Sequence, residues 1–389
     1  MVTLPSLLDN DFYKFTMQQC VVKLFPRAKA RYRFINRGGH HFPAGFAEAL
    51  QHSVNSMSSL KLSRDEKHWL AETCPYLDPV YLDFLQGYCY DPSEVQISQK
   101  GNDVEVTVEG WWYRTILWEV PLLCLISENL YRLLPDSREN DETVAEKTRR
   151  KIEAYGEMGV TIAEFGTRRR HSFHVHDLVV KTLKAHGSPF VGTSNVHLAR
   201  VHNTKPIGTH AHEWFMFHAA RYGFKMANTM ALEHWIDVFR GDLGIALSDT
   251  FTTDEFFKIF DKKFARLFDG VRHDSGDPLE FADKTIRHYQ HLGIDPRSKT
   301  IIFSDSLNYE RVKKIAQHCQ GRVGVSFGIG TNFTNDVGLK PVNIVMKMTE
   351  AQPDGEHWTP VIKLSDEPMK YTGDQHSIAQ AKAALQIGE

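Results

Sequence analysis

Val160-Thr161-Ile162-Ala163-Glu164-Phe165-Gly166-Thr167-Arg168, residues 160 to 168, carries the pattern that decides the fold. A short apolar run rich in β-branched residues reads as a strand. It breaks at once into a turn holding a glycine, an aromatic ring and an arginine. The same unit recurs along the chain. Pro189-Phe190-Val191 runs into Gly192-Thr193-Ser194-Asn195, and Pro206-Ile207 into Gly208-Thr209-His210-Ala211-His212-Glu213. Leu243 to Leu247 runs into Ser248-Asp249-Thr250, and Phe268 to Arg272 into His273-Asp274-Ser275-Gly276-Asp277. Thr300 to Phe303 ends in Ser304-Asp305-Ser306, and Arg322 to Val325 in Ser326-Phe327-Gly328-Ile329-Gly330-Thr331. These seven strand ends are spaced as βαβ units require. Parallel strands with polar groups at their C-terminal ends describe a doubly wound sheet or a (β/α) barrel. Seven similar loops favour the barrel.

Before residue 130 the rhythm differs. Leu7 to Phe25 reads as a helix with an N-cap among Asp9, Asn10 and Asp11 and a stop at Pro26. Ala28 to Ile35 reads as a half-buried strand, and Ser63-Arg64-Asp65-Glu66 as a capping box. Glu94–Ile97 and Val104–Val108 read as a hairpin around Gly101-Asn102. This is an α+β order, and Val342–Met348 with Pro360–Leu364 resumes it near the C-terminus. The expected organisation is an α+β domain from 1–140 and 341–389, and an α/β barrel from 141–340.

The chain of 389 residues has 42% hydrophobic and 24% charged residues, enough for a large core. Its formal net charge of −2 supplies no field for nucleic acid or an anionic membrane. No apolar run approaches the ~18 residues of a membrane span. The five cysteines are scattered and form no CxxC, which suits a reducing, cytoplasmic setting.

The strand ends carry the chemistry. Gly328 and Gly330 beside Thr331 let backbone N–H groups approach a phosphate. Asp249, Asp274, Asp277 and Asp305 follow strands, where carboxylates can share Mg²⁺ with substrate oxygens; Asp277 and Ser306 also suit helix caps. Arg168, Arg169, Arg170 and Arg272 offer forks for carboxylate or phosphate. A histidine of the 206–213 stretch, His210 or His212, is a candidate nucleophile and proton carrier. His210 and His212, or His171, His174 and His176, have spacings a metal could use. A zinc hydrolase on a barrel and a non-catalytic sensor are therefore alternatives, although the chain lacks HExxH.

Six stretches taken in order resemble the nicotinate phosphoribosyltransferase family in its shorter bacterial form. They are Asp11-Phe12-Tyr13-Lys14-Phe15-Thr16-Met17, Glu164 to Arg169, Gly192 to Asn195, Gly208 to Glu213, Arg272 to Pro278, and Phe327 to Asn332. The resemblance spans nearly the whole chain. It implies an irregular barrel of the type II phosphoribosyltransferase kind joined to the α+β domain. It implies transfer of phosphoribosyl from phosphoribosyl pyrophosphate to nicotinate, coupled to ATP hydrolysis through a phosphohistidine at His212. It also implies that Phe165 and Tyr13 hold the pyridine ring, Tyr13 reaching across a homodimer from the neighbouring subunit. Arg168, Arg272 and Ser194, with Thr193 beside it, would surround the nicotinate carboxylate and nearby oxygens. Asp249, Asp274 and Asp305 would meet the ribose hydroxyls or Mg²⁺, no metal being held tightly. Gly328, Gly330 and Thr331 would receive the 5′-phosphate. In the related nicotinamide enzymes an aspartate matches Ser194, so serine there implies a preference for nicotinate.

Overall fold

The computed structural model describes residues 2–134, 137–355 and 357–388. Two sheets organise it. The first is antiparallel: β1 (Lys29–Asn36), β2 (Val95–Lys100), β3 (Asp103–Trp111), β10 (Ile344–Gln352) and β11 (Thr359–Pro360), in the order β11-β10-β1-β3-β2. The second is parallel: β4 (Thr161–Glu164), β5 (Phe190–Thr193), β6 (Ile245–Leu247), β7 (Gly270–His273), β8 (Thr300–Phe303) and β9 (Gly324–Ile329), in the order β5-β4-β9-β8-β7-β6. Helices fill the connections between the parallel strands, as parallel pairing demands.

The seventh expected strand is reduced to a seam. Pro206 forms only an isolated bridge to Thr193, where Thr193 N donates to the Lys205 carbonyl and Ile207 N donates to the Thr193 carbonyl. On its other side, Thr209 Oγ1 donates to the Ile245 carbonyl at 3.1 Å. The segment 205–209 thus touches both edge strands of the open sheet and closes the barrel irregularly. Proline cannot donate into a ladder, which limits regular pairing there.

Other boundaries moved for identifiable reasons. The first helix begins at Phe12 rather than Leu7, because Asp9 and Asn10 are spent on Arg170 and on the Leu117 carbonyl. Asp11 is its N-cap without a side-chain cap bond, its carboxylate being turned to Ser194. β9 continues through Ile329, so Gly328 lies in a strand and not in a loop. Pro360–Leu364 keeps only the two-residue β11 and a bridge from Lys363 to Thr372. The Ser63–Glu66 capping box forms with both of its bonds. Asp277 caps the helix Pro278–His291, whereas Asn308, not Ser306, caps the next one.

Three long-range packings place the site. β10 pairs with β1, so the C-terminal segment enters the N-terminal sheet. The helix Phe12–Leu24 docks on the barrel through Phe12 N donating to the Ser194 carbonyl. Gly208 makes that approach feasible: its φ is 152°, and a Cβ there would stand 2.9 Å from the Tyr13 nitrogen. The helix His212–Tyr222 is pinned by Trp214 and Phe217, the latter stacked on Trp112 at 4.1 Å. Burial of such aromatic rings is the dominant stabilising term for these helices.

Candidate active site

At the C-terminal ends of the parallel strands lies a cavity of about 670 Å³. Its wall takes Phe165 and Arg168 from the turn after β4, His212 from the helix start that follows the seam, Arg272 from β7, Asp274 from the turn after it, and Asp305 from the turn after β8. Gly328 comes from β9, Gly330 and Thr331 from the turn just beyond it, and Tyr13 from the first helix. The antiparallel sheet and the segment after it add Arg37, Lys347, Lys363 and Lys370. Seven cationic side chains line the cavity against three carboxylates. Such an imbalance in a concave, partly desolvated space selects a polyanion.

His212 opens its helix, and its Nε2 donates to Asp249 Oδ1 at 2.9 Å, with Asp274 Oδ2 at 3.6 Å. Burial, reinforced by the Lys363 ammonium, pushes the imidazole down to about 4, so it is neutral at pH 7. Asp249 is fully buried and also accepts from Ser275 Oγ at 2.6 Å and Lys363 Nζ at 3.1 Å. Burial alone would raise that carboxyl; His212 and Lys363 outweigh it and hold it well below the usual range. Asp249 therefore stands behind the histidine and fixes its tautomer, leaving Nδ1 as the ring nitrogen with a free lone pair.

The three successive arginines divide. Arg168 faces the cavity, 3.6 Å from Glu119, which Lys14 also binds at 2.5 Å. Arg169 lines it too, and burial with the charges of Arg168 and Arg37 pushes it down to about 10. Arg170 turns inward to a bidentate pair with Asp9 and a bond to Glu128 at 2.8 Å, so it is structural. Arg272 Nη1 donates to the His210 carbonyl at 3.2 Å while its Nε has no partner among the described residues.

Several expected site residues stand behind the wall rather than in it. Thr193 Oγ1 donates to Glu164 at 2.5 Å and Ser194 Oγ to Asp11 at 2.7 Å, both residues being fully buried. His210 packs edge-on against Phe215 and Trp235 with neither ring nitrogen bonded, so it does not share a metal with His212. His171 stacks on Tyr131, His174 bonds Asp141 and His176 bonds Glu164; they do not converge. Among the described residues, His212, Asp249 and Asp274 are the one group close enough to share an ion. Tyr13 lines this cavity from the first helix of the same chain, whose N-cap Asp11 bridges to Asn195 just after β5.

Gly328 and Gly330 have a further reason to be glycine. A Cβ on the first would stand 3.2 Å from the Phe165 ring, and one on the second 3.1 Å from the Phe165 carbonyl. They clear room for the Phe165 turn.

The family pattern described as nicotinate phosphoribosyltransferase (NAPRTase) family matches residues 160–389, and the NAPRTase N-terminal domain pattern matches residues 8–127. The chain belongs to the nicotinate phosphoribosyltransferase family. The nicotinate phosphoribosyltransferase of Chromohalobacter salexigens is 65% identical over 385 residues, covering 99% of each chain. That of Desulforapulum autotrophicum is 48% identical, covering 99% of this chain and 100% of the relative. The crystal structure from Porphyromonas gingivalis superposes with a TM-score of 0.96 at 46% identity, covering 99% of this chain and 100% of that one. The structure from Vibrio cholerae gives 0.92 at 35% identity, covering 99% and 94%.

Within this member of the nicotinate phosphoribosyltransferase family, the motif-bearing strand ends are the part of the site visible in the sequence. Arg37, Lys347, Lys363 and Lys370 were missed. Residues 363–370 form a strap over the barrel face. Lys363 reaches Asp249, Asp366 accepts from Thr253 N at 2.8 Å, Glu367 from Gly276 N at 2.8 Å, and Lys370 Nζ lies 2.8 Å from Asp305. For Lys347 a signal existed: it alternates with the buried Met346 and Met348 and so faces the opposite side of β10.

Proposed function

We propose that this chain transfers phosphoribosyl from phosphoribosyl pyrophosphate to nicotinate, giving nicotinate mononucleotide and pyrophosphate, with transient phosphorylation of His212 by ATP. The observation that carries the reading is the pairing of a cation-rich cavity with a neutral, carboxylate-held histidine at its wall. The ring nitrogen of nicotinate attacks the anomeric carbon as pyrophosphate leaves, and the ribose passes through a cation-like state. No protein nucleophile is needed for that step; positioning and charge do the work. Tyr13 and Phe165 supply aromatic walls, and Arg168 and Arg272 supply unspent donors for anionic oxygens. Asp274, whose carboxylate accepts from Ser304 Oγ at 2.7 Å, lies near the developing positive charge.

Mg²⁺ fits the donors present. Asp274 offers hard oxygen to the cavity, while Asp305 is already matched by Lys370 at 2.8 Å and by Arg311 at 3.9 Å. Bound through the substrate, the ion would neutralise charge on the departing pyrophosphate. We further read Nδ1 of His212 as the phosphorylated nitrogen, since Nε2 is spent on Asp249. The family resemblance also supports a homodimer, which equilibrium sedimentation tests.

Product analysis with nicotinate, phosphoribosyl pyrophosphate, Mg²⁺ and ATP, omitting each in turn, tests the reaction. His212→Ala should lose all label from γ-labelled ATP while retaining some ATP-independent transfer. Label persisting in the variant would sink the histidine assignment; no nicotinate mononucleotide from the wild type would sink the reaction.

A further inference from the structure

Glu164 is a fully buried carboxylate at the end of β4, one residue before Phe165. Oε1 accepts from the backbone N–H of Gly166, inside the turn that carries Phe165 and Arg168. Oε2 accepts from Thr193 Oγ1 at 2.5 Å, at the end of β5, and from His176 Nε2 at 2.9 Å, on the helix after the turn. The Glu164 carbonyl takes the Ser194 N–H at 2.8 Å, and Thr193 Oγ1 in turn accepts from Asn195 N at 3.0 Å. Gly166 is held from the far side as well, its carbonyl accepting from Thr334 Oγ1 at 2.9 Å.

As bonded to the carboxylate, the Gly166 N–H, the Thr193 hydroxyl and the Nε2–H tautomer of His176 all donate, and of these only the Gly166 N–H has no other role open to it. Only an acceptor-only group satisfies all three in these roles, and of the side chains of this size only ionised glutamate is one. A core filler needs no such charge, and an unpaired buried carboxylate is costly. Burial alone would raise this carboxyl, yet His176, Thr193 and the Gly166 N–H together hold it below its ordinary value.

We propose that Glu164 is the positioning residue of the ring site: it locks the Phe165–Arg168 turn to the end of β5 and so sets the pose of nicotinate. It touches no substrate and acts through Phe165 and Arg168. The inference rests on reading those two residues as the ring site.

Glu164→Gln is nearly isosteric but carries one acceptor and one donor group: with its oxygen kept on the Gly166 N–H, its amide N–H₂ meets both Thr193 Oγ1 and His176 Nε2, so the hydroxyl must turn away and the imidazole must change tautomer, loosening the tie between the turn and β5. The expected result is a rise of at least about 10-fold in the nicotinate KM, with the phosphoribosyl pyrophosphate KM within about twofold of wild type; tenfold corresponds to about 1.4 kcal/mol. Glu164→Asp keeps an acceptor-only group, and it should recover most of the nicotinate KM even though its melting temperature falls as far. Should Glu164→Gln not fold, Thr193→Val removes a single donor and should raise the nicotinate KM alone. An unchanged nicotinate KM in the folded variant, or equal rises for both substrates, overturns the proposal. Phe165→Ala is the control. If it leaves the nicotinate KM unaltered, the ring-site reading itself fails; if it raises that KM while Glu164→Gln does not, only the present inference fails.

Discussion

Ser194 shows how one hydrogen bond changes what a residue can do. A serine facing nicotinate would donate to its carboxylate, but here the hydroxyl hydrogen goes to Asp11 at 2.7 Å and the residue is fully buried. Ser194→Asp would set two buried carboxylates side by side, so its first effect is destabilisation, read as a melting temperature lowered by several degrees. Ser194→Ala should cost only about 1 kcal/mol and leave the preference for nicotinate over nicotinamide intact. A lost preference in Ser194→Ala would restore the serine to the ring site. Lys347 is the opposite case, a charge awaiting a partner. Burial and then the nearby Lys363, Arg168 and Arg37 push it down to about 8, from 10.5. A bound polyanion favours the charged form, so pyrophosphate binding near pH 8 takes up as much as about half a proton. Calorimetry in two buffers of different ionisation enthalpy reads that uptake. Lys347→Met should raise the melting temperature of the free protein at pH 7 while weakening pyrophosphate. Because the lysine is depressed in the folded state, that gain shrinks as pH climbs from about 8 towards 10.5.

At the scale of elements, the strap 363–370 and the strand ends divide what sequence can and cannot reveal. Every barrel strand was legible because each apolar run stops at a polar turn; β9 was misread only where Gly328 resembles a loop residue while pairing in the sheet. The seam at Pro206 was legible as a strand end but not as a broken ladder, since a lone proline does not announce how few bonds its neighbours keep. The triple arginine could not be divided without knowing that Asp9 and Glu128 wait beneath the third. The strap escaped altogether. Its ties to Thr253, Ser275, Gly276 and Asp305 are polar and come from separate loops, so no periodicity marks them. If Lys370 exchanges Asp305 for a substrate phosphate, Lys370→Ala should raise the phosphoribosyl pyrophosphate KM about 10-fold and leave the nicotinate KM near wild type. Steady-state kinetics with each substrate varied checks this.

The whole molecule is threaded so that its first and last thirds share one sheet. β1 lies between β3 and β10, and its register runs from Lys29 opposite Gln352 to Asn36 opposite Ile344. While the chain is being made on a ribosome, β1 and β3 can pair early, but one edge of β1 stays open until residues beyond 344 emerge. That edge alternates Ala30, Tyr32 and Phe34 on its buried face, a surface that invites pairing with another nascent chain. The site inherits the same schedule, because Lys347, Lys363 and Lys370 arrive last. A chain ending at residue 341 would then carry a nearly complete barrel and still be an aggregation-prone, substrate-blind product. Supplying residues 342–389 as a separate polypeptide during refolding should recover soluble protein. The order of synthesis thus leaves one edge of β1 without its partner until β10 is made.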